Sequence, residues 1–149
     1  MKAVVQRVTR ASVDVDERNV GMIDGGLLVL LGVAKGDTGE DARYVVEKIG
    51  TLRLFSDEHG KMNRSLSDVN GAVLLVSQFT LLGRTSHGRR PSFDAAASPE
   101  EARALYERVA ADLRAHDTVV ASGVFGAHMK VESINDGPVT FVLDSRERL

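Results

Sequence analysis

Leu27-Leu28-Val29-Leu30-Leu31-Gly32-Val33 is a nearly unbroken apolar run, and it limits the possible folds more than any other stretch. It is far shorter than the roughly 18 apolar residues that span a bilayer. It also lacks the alternation of a strand with one wet face. It reads as a strand buried on both sides, which requires packed elements above and below its sheet. Ala72 to Phe79 is a second such run. Two doubly covered strands in 149 residues predict one domain, 1–149, with a sizeable core.

The rest of the chain supplies the cover. Between Val4 and Val15, residues Ala11, Val13 and Val15 face one way and Ser12, Asp14 and Asp16 the other, as in a half-buried strand. Asp16-Glu17-Arg18-Asn19 turns the chain, Val20 to Ile23 returns as a hairpin, and Gly25-Gly26 ends it. Thr38 caps a helix with Asp41 at its third position and Ala42, Val45, Val46 and Ile49 at helical spacing. Leu52 to Phe55 reads as a short strand and Asp57 to Gly60 as a turn. Ser98-Pro99-Glu100-Glu101 starts a second helix, whose stripe of Ala102, Leu105, Val109 and Leu113 packs on a sheet. Strands follow at Thr118–Ala121, Lys130–Ile134 and Val139–Leu143. Hairpins, two helices and no regular strand–helix alternation predict an α+β domain with a mainly antiparallel sheet.

Composition narrows the function. There is no cysteine, so thiolate chemistry, thiolate metal sites and a disulfide scaffold are excluded, and a reducing cytoplasm suits the chain. A net charge of -2 and 5% aromatic residues do not describe an autonomous nucleic-acid binder. No signal peptide or membrane span is expected. The four histidines lack ligand spacing, so neither a metal nor another cofactor is expected.

Four stretches are candidates for chemistry. Ser77-Gln78-Phe79-Thr80-Leu81 ends the second apolar run; in a regular strand, positions 77 and 80 face opposite sides. Either one hydroxyl serves a site, or the strand bends there; a solvated strand end is the plain alternative. Gly137-Pro138 is either an ordinary turn or a pair of carbonyls that accept a ligand cation. Gly123 to Met129 is either a pocket wall lined by Phe125 and Met129 or a bulge with core side chains. Arg84, Arg89 and Arg90 are either phosphate contacts or a solvated loop.

In order and spacing these stretches resemble the D-aminoacyl-tRNA deacylases, the D-tyrosyl-tRNA deacylase family. So do Arg7-Val8-Thr9-Arg10-Ala11-Ser12-Val13, Gly60-Lys61-Met62-Asn63-Arg64-Ser65-Leu66, Arg90-Pro91-Ser92-Phe93 and Asn135-Asp136-Gly137-Pro138-Val139-Thr140. The resemblance covers essentially the whole chain. It implies a strongly curved, barrel-like sheet with two packed helices. It also implies hydrolysis of the ester joining a D-amino acid to the terminal adenosine of tRNA, in a homodimer with active sites at the interface. A cis Gly137-Pro138 peptide of one subunit then faces Ser77, Gln78, Phe79 and Thr80 of the other, with Phe125, Met129 and Thr140 binding substrate.

On that basis, backbone N–H groups in Gln78–Thr80 stabilise the ester oxyanion, and the Gly137 and Pro138 carbonyls receive the α-ammonium. Chirality is selected by excluding the L side chain, so glycyl-tRNA is expected to be cleaved as well. The nucleophile is either the Thr80 hydroxyl or a water assisted by the terminal 2′-hydroxyl; the absence of a base beside Thr80 in sequence favours the second. The competing classes are a non-catalytic RNA-binding or dimerisation module and a general small-ester hydrolase, the latter disfavoured by the lack of a Ser-His-Asp arrangement.

Overall fold

The computed structural model describes residues 1–148. Its fold is assembled around one long strand, β1 (Lys2–Val15). Along one edge, residues Ala11 to Val15 pair antiparallel with β2 (Arg18–Ile23), and Lys2 to Val8 pair antiparallel with β3 (Gly26–Gly32). Along the other edge, the last strand, Lys130–Asp144, follows β1 antiparallel from Lys2 to Asp14. A small antiparallel hairpin, β4 (Phe55–Ser56) and β5 (Met62–Arg64), stands off the main sheet.

Beyond β3 the pairing changes character. β6 (Ala72–Ser77) lies parallel to β3, and β7 (Val120–Ser122) lies parallel to β6. The sheet is therefore mixed, and strand–helix alternation is present where the periodicity did not reveal it. The two helices are the reason: α1 (Gly39–Thr51) lies in the connection from β3 to β6, and α2 (Pro99–Ala115) in that from β6 to β7. A helical crossover returns the chain in the same direction. The last strand, Lys130–Asp144, is β8. The sheet curls until Gly21 of β2 meets β7, where a Cβ on Gly21 would stand 2.8 Å from the Ser122 carbonyl oxygen.

Both apolar runs are covered on both faces. Leu27, Val29, Leu31, Val73 and Leu75 face the helices, against Val45, Ile49, Val109 and Leu113. The alternate residues Leu28, Leu74 and Val76 face the concave side with Val8, Val13 and Ile23. Each fully buried side chain of this kind contributes about 1.5–3 kcal/mol of transfer free energy. Both helices begin as their sequences dictate, with reciprocal caps between Thr38 and Asp41 and between Ser98 and Glu101.

Besides small shifts at β2, which starts at Arg18, and β7, which runs from Val120 to Ser122, three boundaries differ from the sequence expectation. Leu52 to Leu54 is not extended into a strand; the backbone leaves α1 at Leu52, and pairing starts at Phe55. The two strands expected over 130–143 are one element, because β1 is long enough to pair with both halves across register shifts near Val8. β6 stops at Ser77, short of Phe79.

A buried ionic knot ties three distant segments together. The Met1 α-ammonium lies 2.6 Å from Asp37 Oδ2, and neither is open to solvent. It also donates to Ser145 Oγ at 2.8 Å, and Ser145 donates to Asp41 Oδ1 at 2.7 Å. Asp41 Oδ2 accepts the Thr38 N–H at 2.7 Å, so the cap of α1 and the chain beyond β8 share one carboxylate. Burial works to raise the Asp41 pKa, but hydrogen bonds from Ser145 and Thr38 outweigh it and hold the carboxyl below its ordinary range.

Candidate active site

The bend at the end of β6 has a local cause. Gln78 leaves the strand region, at φ -145° and ψ 77°, and a 3-10 turn runs from Phe79 to Leu82. The Gln78 N–H still donates to Leu31 O at 2.8 Å, which extends the β3–β6 ladder by one bond. Leu82 is buried and folds the turn back onto β3. Gly32 permits this, since a Cβ there would lie 2.5 Å from Leu82 Cδ2 and 2.8 Å from Gln78 O. The strand therefore bends, as one of the two sequence readings had it. Gln78 Nε2 donates to Thr80 Oγ1. The N–H groups of Phe79 and Thr80 open the turn, and neither has an acceptor among the described residues.

A cavity of about 490 Å³ opens at this bend. Ser77, Gln78 and Phe79 form one side, Ala102 and Tyr106 of α2 the floor, and the segment from Phe125 to Met129 the far wall. Phe125 packs tilted on Tyr106 at 5.7 Å between ring centroids, and the Arg103 guanidinium lies 5.0 Å over the Phe125 ring. Tyr106 donates to the Leu75 carbonyl at 2.8 Å, which fixes the floor to β6. Burial pushes the Tyr106 hydroxyl above its ordinary pKa, so it stays a neutral donor. Gly123 lets Met129 approach, since a Cβ on it would lie 2.6 Å from the Met129 sulfur.

The Asn135–Thr140 stretch forms a separate feature. The Gly137–Pro138 peptide bond is cis, and both residues are exposed. Arg7 of β1 carries this turn. Its Nε donates to Asp136 O at 3.1 Å and stands 3.4 Å from Asp136 Oδ2, while Nη1 donates to Leu54 O at 2.8 Å. Asn135 Oδ1 accepts the Val139 N–H at 3.2 Å. The Thr140 hydroxyl accepts from both Gln6 and Asn135, each at 3.1 Å.

Of the residues singled out in the sequence, Ser77, Gln78, Phe79, Phe125 and Met129 line the cavity together. Thr80, Gly137, Pro138 and Thr140 do not line it within one chain. Arg84, Arg89 and Arg90 lie exposed on a loop closed by two backbone hydrogen bonds between Arg84 and Ser92, at 2.8 and 3.0 Å. Tyr106 and Arg103 were not singled out, and Arg7 stood in a quoted stretch without a role. Tyr106 was within reach, because it falls four residues after Ala102 on the apolar stripe of α2. Arg7 carries no local signal, since its partners are 47 and 129 residues away. Among the described residues, no three His, Asp or Glu side chains gather as metal ligands.

Comparison with known proteins identifies the family. The family model described as D-Tyr-tRNA(Tyr) deacylase matches residues 4–144. A D-aminoacyl-tRNA deacylase of Heliobacterium modesticaldum is 58% identical over 146 residues, covering 98% of this chain and 97% of that protein. One from Geobacter sulfurreducens is 54% identical over 148 residues, covering 99% and 97%. Among solved structures, one titled c-Myc DNA Unwinding Element Binding Protein superposes with a TM-score of 0.91 at 43% identity, covering 97% of this chain and 98% of that one. A probable eukaryotic D-amino acid tRNA deacylase shares the fold, with a TM-score of 0.81 at 18% identity. The chain belongs to the D-Tyr-tRNA(Tyr) deacylase family and is a hydrolase acting on D-aminoacyl-tRNA esters.

Proposed function

We propose that the cavity beside Ser77, Gln78 and Phe79 receives the aminoacylated end of tRNA, and that the enzyme works by shape and main-chain electrostatics. The observation that carries this reading is the pair of N–H groups left without acceptors in the turn beside the cavity, that of Phe79, which lines it, and that of the next residue, Thr80. Donors fixed in place before reaction stabilise a developing oxyanion, because no reorganisation is needed as the charge appears. The N–H of Gln78 is committed to Leu31, so the donors narrow to those two.

The second half of the site comes from another copy of the chain. β8 presents exposed apolar side chains at Val131, Ile134, Phe141 and Val142, and an identical partner would cover them. Gly137 and Pro138 stand exposed on the same strand, and their carbonyls reach the partner's cavity to receive the substrate ammonium. Ammonium, ester carbonyl and ribose then fix three directions about Cα. A D side chain projects outward, whereas an L side chain meets backbone. The 2′-hydroxyl of the terminal ribose assists the attacking water, Arg84, Arg89 and Arg90 meet the acceptor-stem phosphates, and the reaction takes place in the cytoplasm.

Incubation with D-Tyr-tRNA and L-Tyr-tRNA in parallel, together with sedimentation, tests the proposal. Release of the D amino acid alone by a dimer is expected. Full stereoselective turnover by a monomer would overturn the shared site, and release of both enantiomers would overturn selection by exclusion.

A further inference from the structure

We infer that Phe93 is a positioning residue for this reaction: its ring holds Phe79, and through it the main chain of the reactive turn. The inference rests on the site reading above. Phe79 is 57% exposed, so core packing does not fix it. Its aromatic partner is Phe93, edge-on at 5.0 Å and 67°, a favoured geometry for two rings. The turn it opens is four residues long. Short 3-10 segments have poor hydrogen-bond geometry and depend on their surroundings. Here the bonds from Leu81 N–H to Gln78 O, at 3.2 Å, and from Gly83 N–H to Thr80 O, at 3.0 Å, hold it internally.

Phe93 meets this turn at both ends. Its ring edge abuts Phe79 at the start, and a Cβ on Gly83, just past the end, would lie 3.1 Å from Phe93 Cε1. Phe93 is itself anchored. Its carbonyl accepts the Ala96 N–H at 3.0 Å, and the preceding Ser92 is bonded to Arg84 in both directions and through Oγ to Asp94 at 2.7 Å. Phe93 does not line the cavity, so its effect on catalysis passes through Phe79 and the adjacent N–H donors. A shift of those donors by a fraction of an ångström weakens transition-state stabilisation without removing a substrate contact.

The test compares Phe93→Ala, Phe93→Leu and Phe93→Tyr with Phe79→Ala, reading kcat and KM for D-Tyr-tRNA and the thermal midpoint of each. Phe93→Ala is expected to lose about tenfold to a hundredfold in kcat with KM unchanged. Phe93→Tyr is expected to recover most of it. Phe93→Leu keeps the apolar volume, so its kcat reads the ring contact even if Phe93→Ala unfolds, and it is expected to fall with the fold intact. A lowered thermal midpoint with kcat unchanged in Phe93→Leu overturns the inference, as does a raised KM at unchanged kcat. A crippled Phe79→Ala beside fully active Phe93 variants overturns this inference alone. A harmless Phe79→Ala overturns the site reading and this inference together.

Discussion

Arg7 Nε donates to the Asp136 carbonyl at 3.1 Å and stands 3.4 Å from the Asp136 carboxylate, so one side chain of β1 carries the turn that presents Gly137 and Pro138. The same guanidinium reaches Leu54 O at 2.8 Å. A planar fork serves acceptors in two directions, whereas an ammonium is a point donor on a flexible stem. Arg7→Lys is therefore expected to lose most of what Arg7→Ala loses. If the turn forms half of the site, both variants should fall at least about tenfold in kcat/KM for D-Tyr-tRNA, the loss expected when a reacting group is misplaced. Wild-type turnover by Arg7→Lys would show that the fork geometry is not needed.

Thr80 Oγ1 receives a hydrogen bond from the Gln78 amide, and its hydroxyl has no His, Lys or carboxylate partner among the described residues. An amide N–H cannot take the proton of an attacking hydroxyl, so within one chain the described residues place no base on Thr80. Thr80→Ala should therefore keep kcat within about tenfold, whereas removal of a true nucleophile costs on the order of 10⁴-fold or more. Wild-type enzyme on tRNA ending in 2′-deoxyadenosine should slow by about a hundredfold or more, the range of assisted proton transfer. A dead Thr80→Ala beside a fully active deoxy substrate reverses the assignment.

How much of this was readable in advance depended on range. The doubly buried strands and both capped helices are written in local pattern: apolar runs, Thr38 with Asp41, and Ser98 with Glu101; the bend after Ser77 was one of two open readings, and the apolar run alone carried the strand on to Phe79. The parallel pairing of β3, β6 and β7 was not, because it depends on where two crossovers return the chain. Ser77, Gln78, Phe79, Phe125 and Met129 were legible as separate motifs but not as the lining of one cavity. Arg7 and Phe93 stood in stretches that carry the resemblance but were given no role, for the same reason: what each does lies in contacts made across the fold.

Ser145 joins the Met1 ammonium to Asp41, and its hydroxyl helps hold Asp41 below the ordinary carboxyl range against the opposing effect of burial. A depressed folded-state pKa contributes stability above the unfolded value, and that contribution is lost as pH falls through the folded value. Ser145→Ala removes the hydrogen bond and returns Asp41 toward or above its unfolded value. Acid unfolding, followed by circular dichroism, should then begin at higher pH than in wild type. At neutral pH the variant should lose about 1–3 kcal/mol, the cost of leaving buried polar groups unsatisfied. An unchanged acid midpoint would remove Ser145 from the control of Asp41.

If the L side chain is excluded by shape, as proposed, a substrate without a side chain has nothing to be excluded by. Glycyl-tRNA should accordingly be cleaved at a rate measurable beside D-Tyr-tRNA, while L-Ala-tRNA, one methyl larger, resists. Discrimination by a single methyl through attractive contact is worth only about 1–3 kcal/mol, or roughly 10–200-fold. An L-Ala to Gly ratio beyond that range points to a methyl forced against fixed backbone rather than to a lost favourable contact. Complete resistance of glycyl-tRNA at enzyme concentrations that clear D-Tyr-tRNA would mean that the D side chain is gripped.

Arg84, Arg89 and Arg90 extend from a loop whose ends meet at the Arg84–Ser92 bridge and whose exit is Phe93, the neighbour of Phe79. The loop is therefore anchored beside the cavity rather than free of it, a suitable place to meet phosphates next to a bound terminal adenosine. Binding by phosphate neutralisation releases counterions, and log K falls with log salt by about 0.7–0.9 per phosphate contacted. Replacing all three arginines by alanine should raise KM for D-Tyr-tRNA and flatten its salt dependence by about two units or more if each meets a phosphate. The arginines lie on the surface, so kcat at saturating substrate and the thermal midpoint should stay near wild type. A raised KM with the original salt slope would place the tRNA backbone on another face, because a lost phosphate contact cannot leave counterion release unchanged.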